Sequence, residues 1–306
     1  MSKSITTTTA KELGLSGVKK SLIVVQPTIS IRDALEVMSR NGITSLPMYS
    51  HSSTQITSIV NLFDILIHLV KGSETASFDQ EEFAKLAEPL ENVLGLDGDM
   101  ESYRVFKSYD TDDLIDTLQA FASGIHRSLV VDNMDVSPPW LLTQTDILRY
   151  VYQHPESLQP LGIDVKKSIG ELQVLPPSAS VVTASPDELA VNVYKKMGNL
   201  KVAGVPIVDE NNKIISDLSI EDLPSADLTK PNNLALPCLK FLEELGKSKS
   251  LTVPKDITLN DLMQSLLTQR AHRAWIVSPE NTLDGVISMS DIISYICRQH
   301  QAQVHN

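Results

Sequence analysis

Cysteine is almost absent from this chain, since only Cys238 and Cys297 among its 306 residues carry a thiol. Two isolated cysteines provide neither a disulfide framework nor a zinc site, and they indicate a reducing compartment, cytoplasmic or nuclear. Long apolar runs are missing too: no stretch of about 18 apolar residues occurs, and the opening residues lack the apolar core of a secretory signal. We therefore expect no membrane partner.

Positive charge is scarce as well, with 26 Lys and Arg against 38 Asp and Glu and a net charge of −12. A nucleic-acid backbone or an anionic membrane requires a dense cationic surface, so we expect neither as a partner. The sequence also lacks a nucleophile elbow, a phosphate loop, a zinc signature and paired catalytic acids. These absences predict a protein that is not an enzyme and that requires no cofactor.

Four equivalent stretches make up what the chain does contain. Each has the pattern of an amphipathic helix, two short apolar strands and a second helix opened by an acidic residue. Their spacings of 82, 76 and 69 residues exceed those of short solenoid repeats and fit an α/β module of about fifty residues plus a linker. The acidic residues at equivalent positions are Asp64, Asp146, Asp222 and Asp291.

Local signals predict where the first helices of the repeats begin and end. Gly42 follows the first helical stripe and predicts a left-handed helix end. Thr258 predicts the N-cap of the first helix in the fourth repeat. In the third repeat, Ser185 and Pro186 predict the start of the helix, and Gly198 predicts its end.

The fourth repeat closes with GVISMSDII at 285–293, which is a strand followed by serine, two variable residues, aspartate and an apolar residue. This ending resembles the cystathionine β-synthase (CBS) domain, and the order of elements in every repeat is similar to that family. The resemblance covers the chain from about Leu22 to Ile296. It implies an α/β fold of four CBS repeats, paired into two modules that form a disc-like assembly.

Proline-rich stretches at 155–162 and 174–180 mark a boundary between the second and third repeats. The acidic stretch after the first repeat predicts a solvated helix and loop. The expected division of the chain is a disordered N-terminus at 1–20, repeat one at 21–70, an acidic linker at 71–104, repeat two at 105–154, a linker at 155–179, repeat three at 180–224, a linker at 225–249 and repeat four at 250–298.

The four aspartates are candidate ligand-binding residues. A carboxylate in the first turn of a helix can accept both hydroxyl hydrogens of a ribose, and free backbone amides there favour phosphate. In the CBS family this aspartate holds the ribose of an adenosine nucleotide, and the preceding Ser or Thr lines the same cleft. The alternative is a structural capping box, which has the same spacing. The pairs concerned are Ser288 with Asp291, Ser219 with Asp222 and Thr143 with Asp146, whereas Asp64 follows Asn61.

Two His-Arg doublets, His126-Arg127 and His272-Arg273, precede the central strands of the second and fourth repeats. Guanidinium is a planar bidentate donor to phosphate and imidazole a tunable one; the alternative is a solvated strand end. The placement of the doublets resembles the gamma subunit of AMP-activated protein kinase, in which they converge on nucleotide phosphates. This resemblance implies AMP, ADP or ATP as ligand, and kinase catalytic and bridging subunits as partners.

The chain departs from gamma subunits at several cations. Thr44 and Asp146 stand where those subunits usually carry basic residues. Fewer cations around a triphosphate favour AMP over ATP, because each charge-assisted bond contributes about 1.5–3 kcal/mol. The point charges available as substitutes around and after the third repeat are Lys201, Lys240, Lys247 and Lys249.

The sequence thus predicts a gamma-like, energy-sensing regulatory protein that binds adenine nucleotide between CBS repeats. Asp291 is the preferred site residue, because its repeat combines the full ending with a doublet, and Asp64 is the weakest. Two alternatives stay open. One is a stand-alone adenosyl-ligand sensor or scaffold, homodimeric if it is not in a heterotrimer, that regulates another enzyme. The other is a nucleotide hydrolase, for which the sequence offers no activating base or metal-ligand set.

Overall fold

Two compact units make up the protein, and each collects separate stretches of the chain. The computed structural model describes residues 2–70, 84–97, 101–134, 136–175, 181–225, 234–247 and 250–304. Unit 1 comprises residues 1–22, 106–180 and 251–306, and unit 2 comprises residues 23–105 and 181–250. Unit 1 therefore contains the second and fourth repeats, and unit 2 the first and third. The chain passes from unit 1 to unit 2 at residues 180–181, at the end of the second proline-rich stretch, and it also changes unit at residues 22–23, 105–106 and 250–251.

The elements of unit 2 follow the expected order in both of its repeats. They are α1 (Ile31–Asn41), β1 (Ser45–Ser50), β2 (Ser53–Asn61) and α2 (Leu62–Val70) in the first repeat, and α5 (Ala190–Leu200), β6 (Gly204–Val208) and β7 (Ile214–Ser219) in the third. A further helix, α6 (Cys238–Glu244), lies beyond the third repeat. The closing helix of the third repeat is a short 3-10 helix, Ile220–Ser225, because Pro224 cannot continue an α-helix.

Unit 1 has the same order of elements. They are β3 (Lys107–Tyr109), α3 (Ile115–Ala122), β4 (Arg127–Val131), β5 (Trp140–Thr143), α4 (Gln144–Gln153), then β8 (Thr252–Pro254), α7 (Leu259–Gln269), β9 (Arg273–Val277), β10 (Leu283–Ser288) and α8 (Met289–Val304). Within this unit α3 packs against α8, and α4 packs against α7. Each of the two interhelical contacts thus joins one helix of the second repeat to one helix of the fourth repeat.

An antiparallel hairpin lies at the centre of every repeat, formed by β1–β2, β4–β5, β6–β7 and β9–β10. A lead-in strand runs parallel to the first hairpin strand, as β3 does beside β4 and β8 beside β9. Parallel pairing requires a crossover, which the first helix supplies. The hairpin then delivers the last residue of its second strand to the start of the closing helix, where the candidate aspartate lies.

Two of the predicted helix ends are confirmed. Gly42 ends α1 with φ of 61°, a left-handed conformation that costs glycine little. The Thr258 side chain accepts the Asp261 N–H and caps α7. The buried face of α1 consists of residues three or four positions apart, as expected for a helix with one side in the core.

The predicted ends of the third-repeat helix are wrong. Helix α5 begins at Ala190, whose N–H donates to the Leu236 carbonyl, so a distant backbone carbonyl replaces the side-chain cap expected from Ser185. The helix also continues past Gly198 and ends at Lys201. A Cβ atom at Gly198 would lie 2.8 Å from Val70 Cγ2, so glycine allows close packing of α2 against α5.

The N-terminal segment, predicted to be disordered, is an ordered part of unit 1. Ile5 is fully buried and Leu13 nearly so, in one core with α3, α4 and the helices of the fourth repeat. The Ile5 N–H donates to the Ser157 carbonyl at 3.0 Å, and the Leu114 N–H donates to the Thr8 carbonyl at 2.8 Å. The segment is therefore anchored by a few apolar residues, Ile5 and Leu13 among them, although its composition between residues 4 and 9 is dominated by hydroxyl side chains.

The described part of the acidic linker, residues 84–97, belongs to the core of unit 2 and is not a solvated loop. Leu86, Leu90 and Val93 have no exposed surface. Glu88 Oε2 accepts a hydrogen bond from His68 Nε2, near the end of α2, at 3.0 Å. The acidic residues of this segment are half-buried, and the composition of the segment gave no sign of its apolar side.

Candidate functional site

Three of the four aspartates have the same local geometry at the start of a closing helix. In each, carboxylate oxygen Oδ2 accepts the backbone N–H and the side-chain hydroxyl of the residue that ends the strand. The pairs are Thr143–Asp146 (2.8 and 2.6 Å), Ser219–Asp222 (2.8 and 3.1 Å) and Ser288–Asp291 (2.7 and 2.6 Å). The capping geometry is therefore present. It uses Oδ2 alone, so it does not exclude a ligand at Oδ1.

Asp291 has the simplest surroundings of the four. Within the part of the chain that the structure describes, Ser288 is its only hydrogen-bond partner. Arg273 pairs with Ser288 across the β9–β10 hairpin, and side chains directly opposite on an antiparallel pair share one face. The Met289 N–H donates to the His272 carbonyl at 3.0 Å. The doublet of the fourth repeat therefore lies beside Asp291.

Asp146 has the same cap and the same doublet arrangement, with Arg127 paired to Thr143 across β4–β5. Its carboxylate differs in carrying a lysine. Lys19 Nζ lies 2.5 Å from Asp146 Oδ2, donates to the Leu141 carbonyl and sits 5.5 Å from the centre of the Trp140 ring. The lysine comes from the N-terminal segment, so this carboxylate already has a cationic partner within unit 1.

Asp222 also carries a lysine. Lys247 Nζ donates to Asp222 Oδ2 at 2.9 Å and lies 3.6 Å from Asp217 Oδ1. Burial of the ammonium acts to lower the pKa of Lys247, but the two carboxylates outweigh it and raise that pKa above its usual value. Of the four lysines proposed as point charges, Lys247 contacts a candidate aspartate, whereas Lys249 lies outside the described residues.

Asp64 is enclosed by the acidic linker. It has no exposed surface and accepts hydrogen bonds from the N–H groups of Asn61 and Asp97 and from the Ser102 hydroxyl, at 3.0–3.1 Å. Burial raises its pKa from 3.8 to about 6, against the opposing effect of these donors. The helix cap is supplied by Asn61, whose side-chain oxygen accepts the Phe63 and Asp64 N–H groups. Asp64 is therefore a structural carboxylate in this arrangement.

The first turns of α4 and α8 meet inside unit 1. Gln144 Nε2 donates to Ser290 Oγ at 3.0 Å, and the Thr145 hydroxyl lies 3.6 Å from Met289 Sδ. Asp146 and Asp291 thus belong to neighbouring helix starts. At the positions of Arg127 and Arg273, unit 2 has Ser45 and Gly204, so both doublets belong to unit 1.

Sequence reasoning missed two residues of these sites, Lys19 and Asp217. Asp217 stands two positions before Ser219, where the second and fourth repeats have Leu141 and Val286. A carboxylate at a strand position that is apolar in the other repeats indicates a buried counterion. Alignment of the repeats with one another would have shown this signal at Asp217. Lys19 had no comparable signal, because its segment had been interpreted as disordered.

No group of three or more His, Cys, Asp or Glu side chains in the described residues is arranged to hold a metal ion. The same part of the chain contains no helix with the length and apolar character needed to cross a bilayer.

The hairpins, lead-in strands and closing helices with a capping aspartate define a class of protein. The CBS domain family model matches residues 10–71, 169–227 and 242–298, more than half of the chain, and the chain belongs to that family. The predicted α/β fold of CBS repeats is confirmed. The second repeat lies outside the matched ranges, although it has the same order of elements.

Among individual proteins, the chain is similar to gamma subunits of protein kinases. It is 24% identical over 292 residues to the 5′-AMP-activated protein kinase subunit gamma of Dictyostelium discoideum, covering 90% of this chain and 49% of that protein. It is 24% identical over 340 residues to the SNF1-related protein kinase regulatory subunit gamma-like PV42a of Arabidopsis thaliana, covering 93% of each. The chain thus spans about half the length of the Dictyostelium relative.

The crystal structure of protein MJ1225 from Methanocaldococcus jannaschii, described as a candidate archaeal homologue of γ-AMPK, has the same fold. The TM-score is 0.71 with 18% sequence identity, and the match covers 92% of this chain and 98% of that one. The resemblance to gamma subunits stated from the sequence is confirmed.

Proposed function

We propose that this protein is a regulatory, non-catalytic CBS protein that binds an adenine nucleotide at the fourth repeat. One observation supports this choice above the others. Of the four equivalent aspartates, Asp291 alone has neither a lysine partner nor an enclosing segment among the described residues, and it retains a His-Arg doublet beside it. Asp146, Asp222 and Asp64 are each engaged by another part of the chain.

The proposed contacts follow from the chemistry of the groups. Asp291 Oδ1 would accept the ribose hydroxyls, while Ser288 keeps Oδ2 in place. Arg273 offers a bidentate donor to phosphate, and the amides at the start of the 16-residue helix α8 favour an anion. Binding at this helix start would favour one packing arrangement of unit 1 over another. The size of the regulatory effect is limited by the difference in nucleotide affinity between the two arrangements.

The substitution Asp291→Ala tests the site. We expect AMP affinity to fall by about 1.5–3 kcal/mol, the value of hydrogen bonds to a charged group, in isothermal titration calorimetry. The free energy of unfolding should fall by only about 0.3–1 kcal/mol, since one acid near a helix start is lost. Asp284→Ala, an exposed acid in the same hairpin, is the matched control.

The opposite result is equally clear. A loss of stability in Asp291→Ala without a loss of affinity would leave Asp291 as a capping residue only. Absence of a melting shift in the unsubstituted protein with millimolar AMP, ADP, ATP and S-adenosylmethionine would reject the nucleotide proposal, because a ligand at about 100 times its Kd stabilises by roughly 2.7 kcal/mol.

The proposed partners are a protein kinase catalytic subunit, as the names of the two gamma relatives suggest, and a bridging subunit, as the resemblance to gamma subunits implies. The expected result is co-purification of both chains with the tagged protein from native extract, enhanced or weakened by AMP. The stand-alone alternative is favoured by the three engaged aspartates, which leave Asp291 as the one without such a partner among the described residues. Recovery of this protein only with itself would support that alternative.

A further inference from the structure

Lys19 is held at the second-repeat cleft by three groups of unit 1. Its ammonium contacts the Asp146 carboxylate and the Leu141 carbonyl and lies over the Trp140 ring, and 23% of the side chain remains exposed. An ammonium has three hydrogens to donate, so the carboxylate and the carbonyl use two of them. The contact is therefore a formed site for a cation and not a chance surface pairing.

The same arrangement recurs in unit 2. Lys19 precedes the first residue of α1 by 12 residues, and Lys247 precedes the first residue of α7 by the same number. Lys247 binds Asp222 and the Asp217 side chain, which occupies the position of Leu141. The lysine position in the lead-in segment thus reaches the capping aspartate in both units. The two sites differ in one respect, because the unit 1 site has one carboxylate and the unit 2 site has two.

Apart from Lys19 and Arg149, whose Nη1 lies 3.9 Å from Asp146 Oδ1 where the fourth repeat has Ser294, the second-repeat cleft has the groups of the fourth-repeat cleft. Thr143 and Asp146 form the same cap as Ser288 and Asp291, and Arg127 occupies the position of Arg273. Lys19 contacts Oδ2, the oxygen that also accepts the Thr143 cap, whereas a ribose would use Oδ1. The ammonium therefore competes with a ribose for the charge of the carboxylate and for the space beside it, and not for the same oxygen atom.

The segment that carries Lys19 is buried as far as Leu13, after which Leu15 packs partly buried on the same core and accepts the Val18 and Lys19 N–H groups at its carbonyl. Residues 5–13 are tied to unit 1 by burial and by backbone hydrogen bonds. The next residues, 14–18, include Gly14 with φ of 68° and Gly17, and Val18 is 79% exposed. This short span makes few buried contacts, so Lys19 can leave the cleft without unfolding the anchor.

We propose that Lys19 is a tethered competitor that closes the second-repeat cleft to adenine nucleotide, and that this cleft becomes a second nucleotide site when the lysine is displaced. The proposal rests on the nucleotide binding proposed above. Because the lysine is held close by a short tether, its effective concentration is in the millimolar range or higher. A cleft open in less than about a tenth of the molecules binds its ligand more than tenfold more weakly than an open one.

The test uses full-length protein with Asp291→Ala, so that the fourth-repeat site does not mask the second. Lys19→Met removes the charge but keeps a stem of similar length, and Lys20→Met is the matched control, since Lys20 is the exposed neighbour. Equilibrium dialysis with labelled AMP should give at least tenfold higher affinity for the Lys19→Met protein than for the Lys20→Met protein. Lys19→Gln replaces Lys19→Met if the methionine variant does not fold.

A third substitution locates the new site. Adding Asp146→Ala to the Asp291→Ala and Lys19→Met protein should abolish the gained affinity. Equal affinities for the Lys19 and Lys20 variants would overturn the proposal, and so would a gain that survives Asp146→Ala.

The outcomes separate this proposal from the first one. AMP binding by the unsubstituted protein with no gain from Lys19→Met would retain the fourth-repeat site and reject the tethered competitor. Binding by the Lys19→Met protein alone would retain the competitor and reject the fourth-repeat site. No binding by any variant rejects both.

Discussion

Units 1 and 2 are built from the same repeat, yet their aspartates have different surroundings. In unit 1, Asp146 and Asp291 lie at neighbouring helix starts, each with an arginine on the adjacent strand. In unit 2, Asp64 is fully buried, and Asp222 shares a lysine with a second carboxylate. The arginine position there is occupied by serine or glycine. The same local motif therefore serves stability in one unit and, as we propose, ligand binding in the other.

The difference follows from residues outside the motif. The linker residues Asp97 and Ser102 supply donors to Asp64, and Asp217 adds a charge that requires Lys247. A buried carboxylate without such a partner would destabilise the fold. Asp64 and Asp217 are therefore each accompanied by a hydrogen-bond donor. In the second and fourth repeats the equivalent strand positions are apolar, and the cleft keeps a single carboxylate.

The largest expected effect is on unit 2, from Lys247→Met. Asp217 and Asp222, with side chains 11% and 13% exposed, would then lose the ammonium that they share. Breaking a buried pair in this way costs about 3–4 kcal/mol of unfolding free energy, measured by urea denaturation. Lys240→Met, at an exposed position of α6, is the control and should change stability by less than about 0.5 kcal/mol.

Lys19→Met sharpens that comparison, because it exposes one carboxylate instead of two. Its cost should be nearer 1–2 kcal/mol, about that of a hydrogen bond to a charged group. Equal losses from the two lysine substitutions would show that Asp217 adds nothing, and that the units do not differ in this respect.

Most of the fold could be predicted from the sequence, because the signals were local. The stripe of α1, the Gly42 end and the Thr258 cap depend on residues within one or two turns, and the repeats reinforce each other. The third-repeat helix was placed wrongly because its first N–H groups bind a distant backbone segment at Leu236. A tertiary partner of that kind leaves no trace in the local sequence.

Asp64 provides the next prediction, through its pH dependence. Its pKa is about 6 in the folded protein against 3.8 when unfolded, because the carboxylate is buried. The folded state therefore holds this proton more tightly, and the contribution of Asp64 to stability is greatest below pH 4 and declines as the pH rises through 6. The decline amounts to at most about 3 kcal/mol, since each pKa unit corresponds to 1.36 kcal/mol.

The measurement is urea denaturation between pH 4 and pH 7.5 for the unsubstituted protein, Asp64→Asn and the exposed control Asp284→Asn. Slopes are compared and not absolute stabilities, because an amide cannot accept every hydrogen bond that Asp64 accepts. We expect the decline to disappear in Asp64→Asn and to persist in Asp284→Asn. Parallel curves for all three proteins would place the charged carboxylate in a solvated environment and contradict its burial.

The candidate site could be predicted only in part. The aspartates and doublets were found from recurrence, and the ranking of Asp291 above Asp64 stays a prediction. What recurrence did not contain was the set of groups that engage the other aspartates. Lys19 lies 127 residues from Asp146, and the Asp97 amide reaches Asp64 from a linker with no repeat counterpart. Such contacts depend on tertiary folding, which a pattern within one repeat does not encode.

The smallest expected effect separates the two doublets of unit 1. Arg273→Met should weaken AMP binding by about 1.5 kcal/mol, roughly tenfold, because one charge-assisted bond to phosphate is lost. Arg127→Met is the matched variant at the equivalent strand position, and it should leave affinity unchanged while Lys19 holds Asp146. In a Lys19→Met protein with Asp291→Ala, Arg127→Met should instead weaken binding by about the same tenfold factor. Calorimetry with AMP on these variants decides between the clefts. An equal loss of affinity from Arg127→Met and Arg273→Met in the otherwise unsubstituted protein would mean that nucleotide already contacts both repeats. Lys19 would then not close the second-repeat cleft.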